Sequence, residues 1–180
     1  MSELKIFVDS ISSKVERVVS NIEDIRRILG QLGIGYEQWT YYDDLPRDCD
    51  ESTVLSRYED EVDRLMTRQN YKRVDVLSLN SDNSDKESLR EKFLPEHRHS
   101  EDEVRFFVRG GGLFALHIEG KVYEVMCKAG DLLSIPANTA HWFDMGASPE
   151  FTVIRFFNNP DGWVAQFTDS AISERFSRLG

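Results

Sequence analysis

His97 and His99 sit two positions apart in a polar stretch, Glu103 follows them, and a further histidine, His141, stands well downstream. Three imidazoles and a carboxylate form a nitrogen–oxygen donor set without thiolate, which suits iron, nickel, cobalt, manganese or zinc. Four protein ligands leave positions open on a six-coordinate ion, so the pattern points to a metalloenzyme. Alternate residues of a strand share a face, which lets His97 and His99 point into one interior. Ser100, Glu101 and Asp102 suit a turn. Glu103 then opens a strand in which Arg105 and Phe107 share its parity. His141 follows a turn containing Pro136 and can reach the same interior from a neighbouring strand. A lone histidine is more often a hydrogen-bonded core or surface residue, and His117 is read that way rather than as a ligand.

The elements that must position these residues divide near Pro95. Before it the pattern is mixed α and β. Leu4–Val8 reads as a strand, and Ser20 with Glu23 forms a capping box that opens a helix with Ile22, Ile25, Leu29 and Leu32 on one face. Tyr36–Tyr42 reads as a strand. Leu55, Tyr58, Val62, Leu65 and Met66 recur at helical spacing, which predicts one helix from about Ser52 to Arg68. Val74–Leu79 is strand-like, and Ser84 with Glu87 opens a short helix through Leu89 to Phe93. After Pro95, short apolar runs alternate with turn residues: Val104–Val108, Leu113–Ile118, Val122–Cys127, Leu132–Ile135 and Phe151–Phe157. Gly110-Gly111-Gly112 separates the first two. That rhythm predicts an antiparallel barrel or sandwich.

The chain has 180 residues, which fits one domain with a real core. A net charge of −10 argues against a general binder of nucleic-acid backbone. No run is long enough to span a membrane, and the opening residues lack the apolar core of a secretory signal. Cys49 and Cys127 are too isolated to form a disulfide framework, so a reducing, cytoplasmic setting is expected. Cys127 reads as a small buried hydrophobe.

His97, His99, Glu103 and Gly110 match the first motif of the cupin superfamily. Gly130, Pro136 and His141 match the second, with Asn138 where that motif usually has glycine and Met145 where it often has asparagine. Asn tolerates left-handed backbone angles, so the turn survives the first exchange. Three longer stretches, Lys92 to Phe107, Ala137 to Gly146 and Arg155 to Trp163, resemble the acireductone dioxygenase family of methionine salvage. The likeness runs over essentially the whole chain and is more specific than the cupin motifs, which host many functions.

The resemblance implies a mainly β protein with flanking helices, built as a cupin-type antiparallel β-barrel (jelly roll). Residues 1–180 would form a single domain, with 1–94 an α/β part packing on the barrel and 95–168 the metal-binding core. It implies one Fe2+ or Ni2+ per chain on His97, His99, Glu103 and His141, with 1,2-dihydroxy-3-keto-5-methylthiopentene and O2 as substrates. Iron gives 4-methylthio-2-oxobutanoate and formate; nickel gives 3-methylthiopropanoate, formate and carbon monoxide. Arg105 would promote the substrate dianion, since a cation favours the charged form; its bland alternative is an ion pair with Glu101 or Asp102. The family associates the position of Glu96 with metal incorporation and that of Asp102 with relaying conformational change. Chemistry alone makes Glu96 equally an acceptor for a ligand imidazole and Asp102 equally a turn residue. Phe93, Phe107, Phe143 and Trp163 are candidate walls for the methylthio tail, because aromatic rings make favourable contacts to sulfur, or else ordinary core. The family also implies a monomer.

Two rivals remain at this level. A cupin isomerase of phosphosugars, or a decarboxylase, would share the metal; an isomerase would want several cations near it, whereas parity turns only Arg105 inward and Arg98 away. A non-enzymatic ligand-binding cupin need not retain all four ligands.

Overall fold

The computed structural model describes residues 1–180. Its strands are β1 (Glu3–Val8), β2 (Val15–Val19), β3 (Gly35–Gln38), β4 (Arg73–Leu79), β5 (His97–Arg98), β6 (Glu103–Ile118), β7 (Lys121–Lys128), β8 (Asp131–Ile135), β9 (Ala140–Asp144), β10 (Phe151–Phe157) and β11 (Gln166–Phe167). The helices are α1 (Ile22–Gln31), α2 (Glu51–Arg57), α3 (Glu59–Gln69) and α4 (Lys86–Phe93), with a 3₁₀ turn at Ile172–Arg175.

All strand pairs are antiparallel, and one strand organises them. The first half of β6 pairs with β8 and β10, its second half with β7 and β9. The expected break at Gly110-Gly111-Gly112 is therefore a crossing of one continuous strand between two sheets. Gly110 takes a left-handed φ of 69° and lies so close to the next strand that a Cβ would fall 1.7 Å from the Glu150 carbonyl. Gly112 leaves room for the Phe143 ring, which a Cβ would meet at 2.4 Å. Glycine is what lets the strand bend and the second sheet approach. One sheet runs β11-β5-β9-β6-β7-β1-β2, the other β3-β8-β6-β10-β4, and the ladder does not close into a ring. The antiparallel, mainly β architecture stands as expected, but as an open pair of sheets rather than a closed barrel.

The first 94 residues do more than pack on that core. β1 extends the sheet beyond β7, β3 adds to β8, and β4 adds to β10. The helices cover what remains. Asn21, not Ser20, caps α1, accepting from the Asp24 amide at 3.1 Å. The single helix expected over 52–68 is two, because Tyr58 breaks it: its ring is wholly buried against Phe106, and its hydroxyl accepts from the Tyr42 amide. α4 starts at Lys86 with no side-chain cap, so the Ser84–Glu87 box does not form. Three apolar clusters result: one joins α1 to the inner faces of both sheets, one joins α2 and α3 to β6, β8 and β10, and a smaller one seats the 3₁₀ turn against β1, β6, β7 and β9.

Candidate metal centre

β5 is only two residues long, yet it sits between β9 and β11 and sets the centre. His97 pairs with His141 across one edge and with Phe167 across the other. Glu103 opens β6 opposite Ile135 at the end of β8. The turn before His141 is locked to the turn before Glu103. Asn138 takes a left-handed φ of 65° and its amide donates to the His99 carbonyl at 2.7 Å. The Arg98 guanidinium donates to the Asn138 carbonyl at 2.9 Å, and the Asp102 carboxylate accepts from the Ala137 amide at 3.0 Å. Asp102 thus joins the two halves of the centre through the backbone.

The result brings one ligand atom from each of His97, His99, Glu103 and His141 within 4.8 Å of one another. All four side chains are buried. Each imidazole uses Nδ1 on a backbone carbonyl: His97 on Pro95 at 2.8 Å, His99 on Val164 at 3.0 Å, His141 on Thr139 at 2.8 Å. A carbonyl only accepts, so Nδ1 carries the proton and Nε2 presents a lone pair to the cluster. The Nε2 atoms of His99 and His141 lie 2.8 Å and 2.9 Å from the same Glu103 oxygen. Neutral imidazole lone pairs facing a carboxylate at that distance repel it, and a shared metal ion or a proton on an imidazole relieves the conflict. This chain's own geometry therefore fits a divalent ion, and the absence of thiolate matches the harder transition metals. Burial and the nearby His141 push the His97 imidazole down to about 4. At Glu103 burial works against ionisation, but Arg105 and the imidazoles outweigh it and hold the carboxyl well below its usual range. His99 moves up despite burial because Glu103 is beside it.

Arg105 is buried and donates from Nη2 to the other Glu103 oxygen at 2.8 Å. Its partner is thus the candidate ligand itself, not Glu101 or Asp102. Its Nε and Nη1 have no partner at all. The guanidinium lies among the Phe93, Phe114, Phe143 and Trp163 rings at 4.9–5.8 Å from their centroids.

These groups open on a cavity of about 530 Å³. Phe93, Phe143 and Trp163 line it, as do Phe157 and Phe167, which the sequence reading did not include. Phe107 does not. It is fully buried between Phe114 and Phe151, because parity set its direction but not its depth along β6. The wall also carries Arg73, Lys92 and Arg155, so Arg105 is not the sole cation there. Arg73 and Arg155 both bind Asp75, at 2.9 Å and 2.8 Å, which offsets one of their two charges.

Glu96 points away from the cluster. One oxygen meets His117 Nδ1 at 2.6 Å and the other accepts from the Thr168 hydroxyl at 2.6 Å. The imidazole it serves is therefore His117, whose other nitrogen faces Asp9, and not a member of the cluster. Thr168 also donates its amide to the Glu96 carbonyl, which fastens the segment carrying Trp163 and Phe167 to β5.

The family model described as "ARD/ARD' family" matches residues 4–165. The chain belongs to that family. An acireductone dioxygenase of Alcanivorax borkumensis is 53% identical to it, over 99% of this chain and 98% of that protein. An acireductone dioxygenase of Pseudomonas savastanoi is 50% identical, over 99% of each. Among solved structures, acireductone dioxygenase from Bacillus anthracis with a cadmium ion in its active centre superposes with a TM-score of 0.82 at 29% identity, covering 93% of this chain and 98% of that one. The two sequence relatives match this chain over 99% of its length, and the solved one shares its fold.

Proposed function

We propose that this chain is an acireductone dioxygenase of methionine salvage, oxidising 1,2-dihydroxy-3-keto-5-methylthiopentene with O2. The observation that carries the reading is the buried three-histidine, one-glutamate cluster facing Arg105, whose guanidinium keeps two nitrogens, Nε and Nη1, unpartnered in an aromatic cavity. Family membership and the names of full-length relatives support the same reading.

His97, His99, Glu103 and His141 would hold one Fe2+ or Ni2+. That ion supplies a template and Lewis acid for substrate and oxygen. The chain's own residues do the rest. Arg105 offers free donors and positive charge where water is excluded, so the enediol loses its protons more readily there than in bulk. Phe93, Phe143, Phe157 and Phe167 exclude water and receive the thioether tail. The carbonyls of Pro95, Thr139 and Val164 fix the imidazole tautomers before any ion arrives. Asp102 links the turns carrying the two halves of the centre, which suits a relay of small movements between them. The link from Glu96 through Thr168 to the cavity wall suits a role in admitting the metal.

Iron loading yields the keto acid and formate; nickel loading yields 3-methylthiopropanoate, formate and carbon monoxide. Both sets balance one substrate with one O2. Metal-stripped protein reloaded with either ion, then supplied with acireductone and oxygen, tests this directly. Keto acid with iron and carbon monoxide with nickel are expected. Oxygen uptake no greater than in the metal-free control, with both ions, would overturn the reading. A monomer follows from family likeness, and two unpaired thiols favour a cytoplasmic setting. No helix is long and apolar enough to cross a membrane.

A further inference from the structure

Three buried side-chain polar atoms in the whole protein have no hydrogen-bond partner: Arg105 Nε, Arg105 Nη1 and Trp163 Nε1. All three belong to residues that line the same cavity. A buried N–H without an acceptor is costly, so folds rarely keep one that no ligand or water will satisfy. We propose that the Trp163 indole N–H is a substrate hydrogen-bond donor, which makes this residue a reader of the oxygenated head rather than a wall for the thioether tail. The inference rests on the acireductone reading and adds a substrate contact to it.

The ring is held for such a role. It packs against Phe157 with centroids 4.6 Å apart and the rings tilted by 43°, and lies under two guanidinium groups, Arg105 at 5.2 Å and Arg155 at 5.7 Å. Its backbone is tied to the centre from the next residue on, because the Val164 carbonyl accepts from His99 Nδ1 and Gln166–Phe167 pair with β5. The indole is thus fixed before substrate enters, and ordering it costs little on binding. The substrate offers acceptors at one end only. Oxygens occupy three successive carbons of the head, and the tail carries a thioether, a weak acceptor. An unpartnered indole N–H beside Arg105 matches the head.

Phenylalanine at this position would keep an aromatic wall and remove only the donor. Trp163→Phe is expected to retain wild-type metal content and melting temperature while kcat/KM falls roughly 10- to 100-fold, the range for a lost hydrogen bond to a charged group. The loss should be equal for acireductone and for its analogue with the sulfur replaced by methylene. A loss confined to the sulfur substrate, or no loss at all, would overturn the proposal.

A second readout needs no turnover. Protein loaded with cadmium, a diamagnetic ion held by the solved relative, gives indole 15N–1H signals from Trp39, Trp142 and Trp163. Trp163→Phe assigns its own signal by deletion. Under anaerobic acireductone that signal should move downfield and exchange more slowly. The Trp39 indole, already bonded to Glu37, should stay put. An unmoved Trp163 signal at saturation counts against the proposal, even if the variant fails to fold and Trp163 must be assigned by other means. Wild-type protein that neither binds nor oxidises acireductone removes the parent reading and this one together. Wild-type turnover with an unaffected variant removes this one alone.

Discussion

Asp131, which opens the short strand β8, and Glu103, which opens β6 opposite the other end of β8, are two buried carboxylates built in opposite ways. Asp131 accepts four neutral donors: the Tyr36 hydroxyl at 2.8 Å, the Gln38 amide at 3.0 Å, the Lys128 backbone amide at 2.8 Å and the Ser2 hydroxyl. Every donor around it is used, and it clasps the N-terminus, β3 and the β7–β8 turn together. Glu103 instead faces Arg105, which has two donor nitrogens to spare, and imidazole nitrogens that no proton donor satisfies. Both sites are equally buried; what separates them is valence left unfilled. A closed network stabilises a fold, whereas an open one waits for a ligand.

Breaking the open network should abolish chemistry without unfolding the protein. His99→Ala is expected to lose bound metal and all metal-dependent oxygen uptake, read by elemental analysis and an oxygen electrode. Circular dichroism of the metal-free forms should overlay, since the sheets and apolar clusters are untouched. Metal content and uptake at wild-type level would remove His99 from the centre. Arg105→Met comes next. It keeps the volume, leaves the four ligands in place and deletes the charge, so metal should stay while kcat falls by about 10²- to 10³-fold, the scale for one lost electrostatic contact to a developing anion. Normal turnover would show that the dianion is stabilised elsewhere.

Breaking the closed network should do the reverse. Asp131→Ala takes the acceptor from four donors, two of them the buried Ser2 and Tyr36 hydroxyls, and the cost is expected at roughly 2–4 kcal/mol by chemical denaturation. The folded fraction should still bind one metal ion and turn over normally. Lost activity per folded molecule would mean that the two ends of β8 communicate.

The open network was legible in the sequence because strand periodicity alone aligns His97 with His99 and Glu103 with Arg105. The closed one was not. Asp131 meets Ser2 and Tyr36 only after β1, β3 and β8 have paired across long separations, which no local pattern encodes. Similar distance hid the continuity of β6 through its glycines, the entry of β1, β3 and β4 into the sheets, and the β5–β11 pairing that brings Phe167 to the cavity. Parity gave Phe107 its direction but not its depth. Helical spacing ran straight through Tyr58, where a tertiary contact with Phe106 ends one helix and starts another. The alternative partners for Arg105 fail for a local reason: Glu101 and Asp102 are acidic and near in sequence, but the turn directs Asp102 to the Ala137 amide.

A third buried carboxylate sharpens the contrast by having neither a clasp nor a cavity full of donors. Glu124 lies on β7, burial pushes its carboxyl up, and only the charge of Lys5 opposes that. A folded-state value above the unfolded one means that the native protein binds more protons over that interval, so stability falls as pH rises through it. The ionised form therefore burdens the fold at neutral pH. Glu124→Gln, neutral at every pH, should raise the melting temperature modestly at pH 7. The gain should shrink on acidification and vanish near about pH 4, where the unfolded carboxyl is itself protonated. A gain that persisted unchanged into acid would trace the effect to packing rather than charge, and no gain at neutral pH would mean that Lys5 already offsets the burial of Glu124.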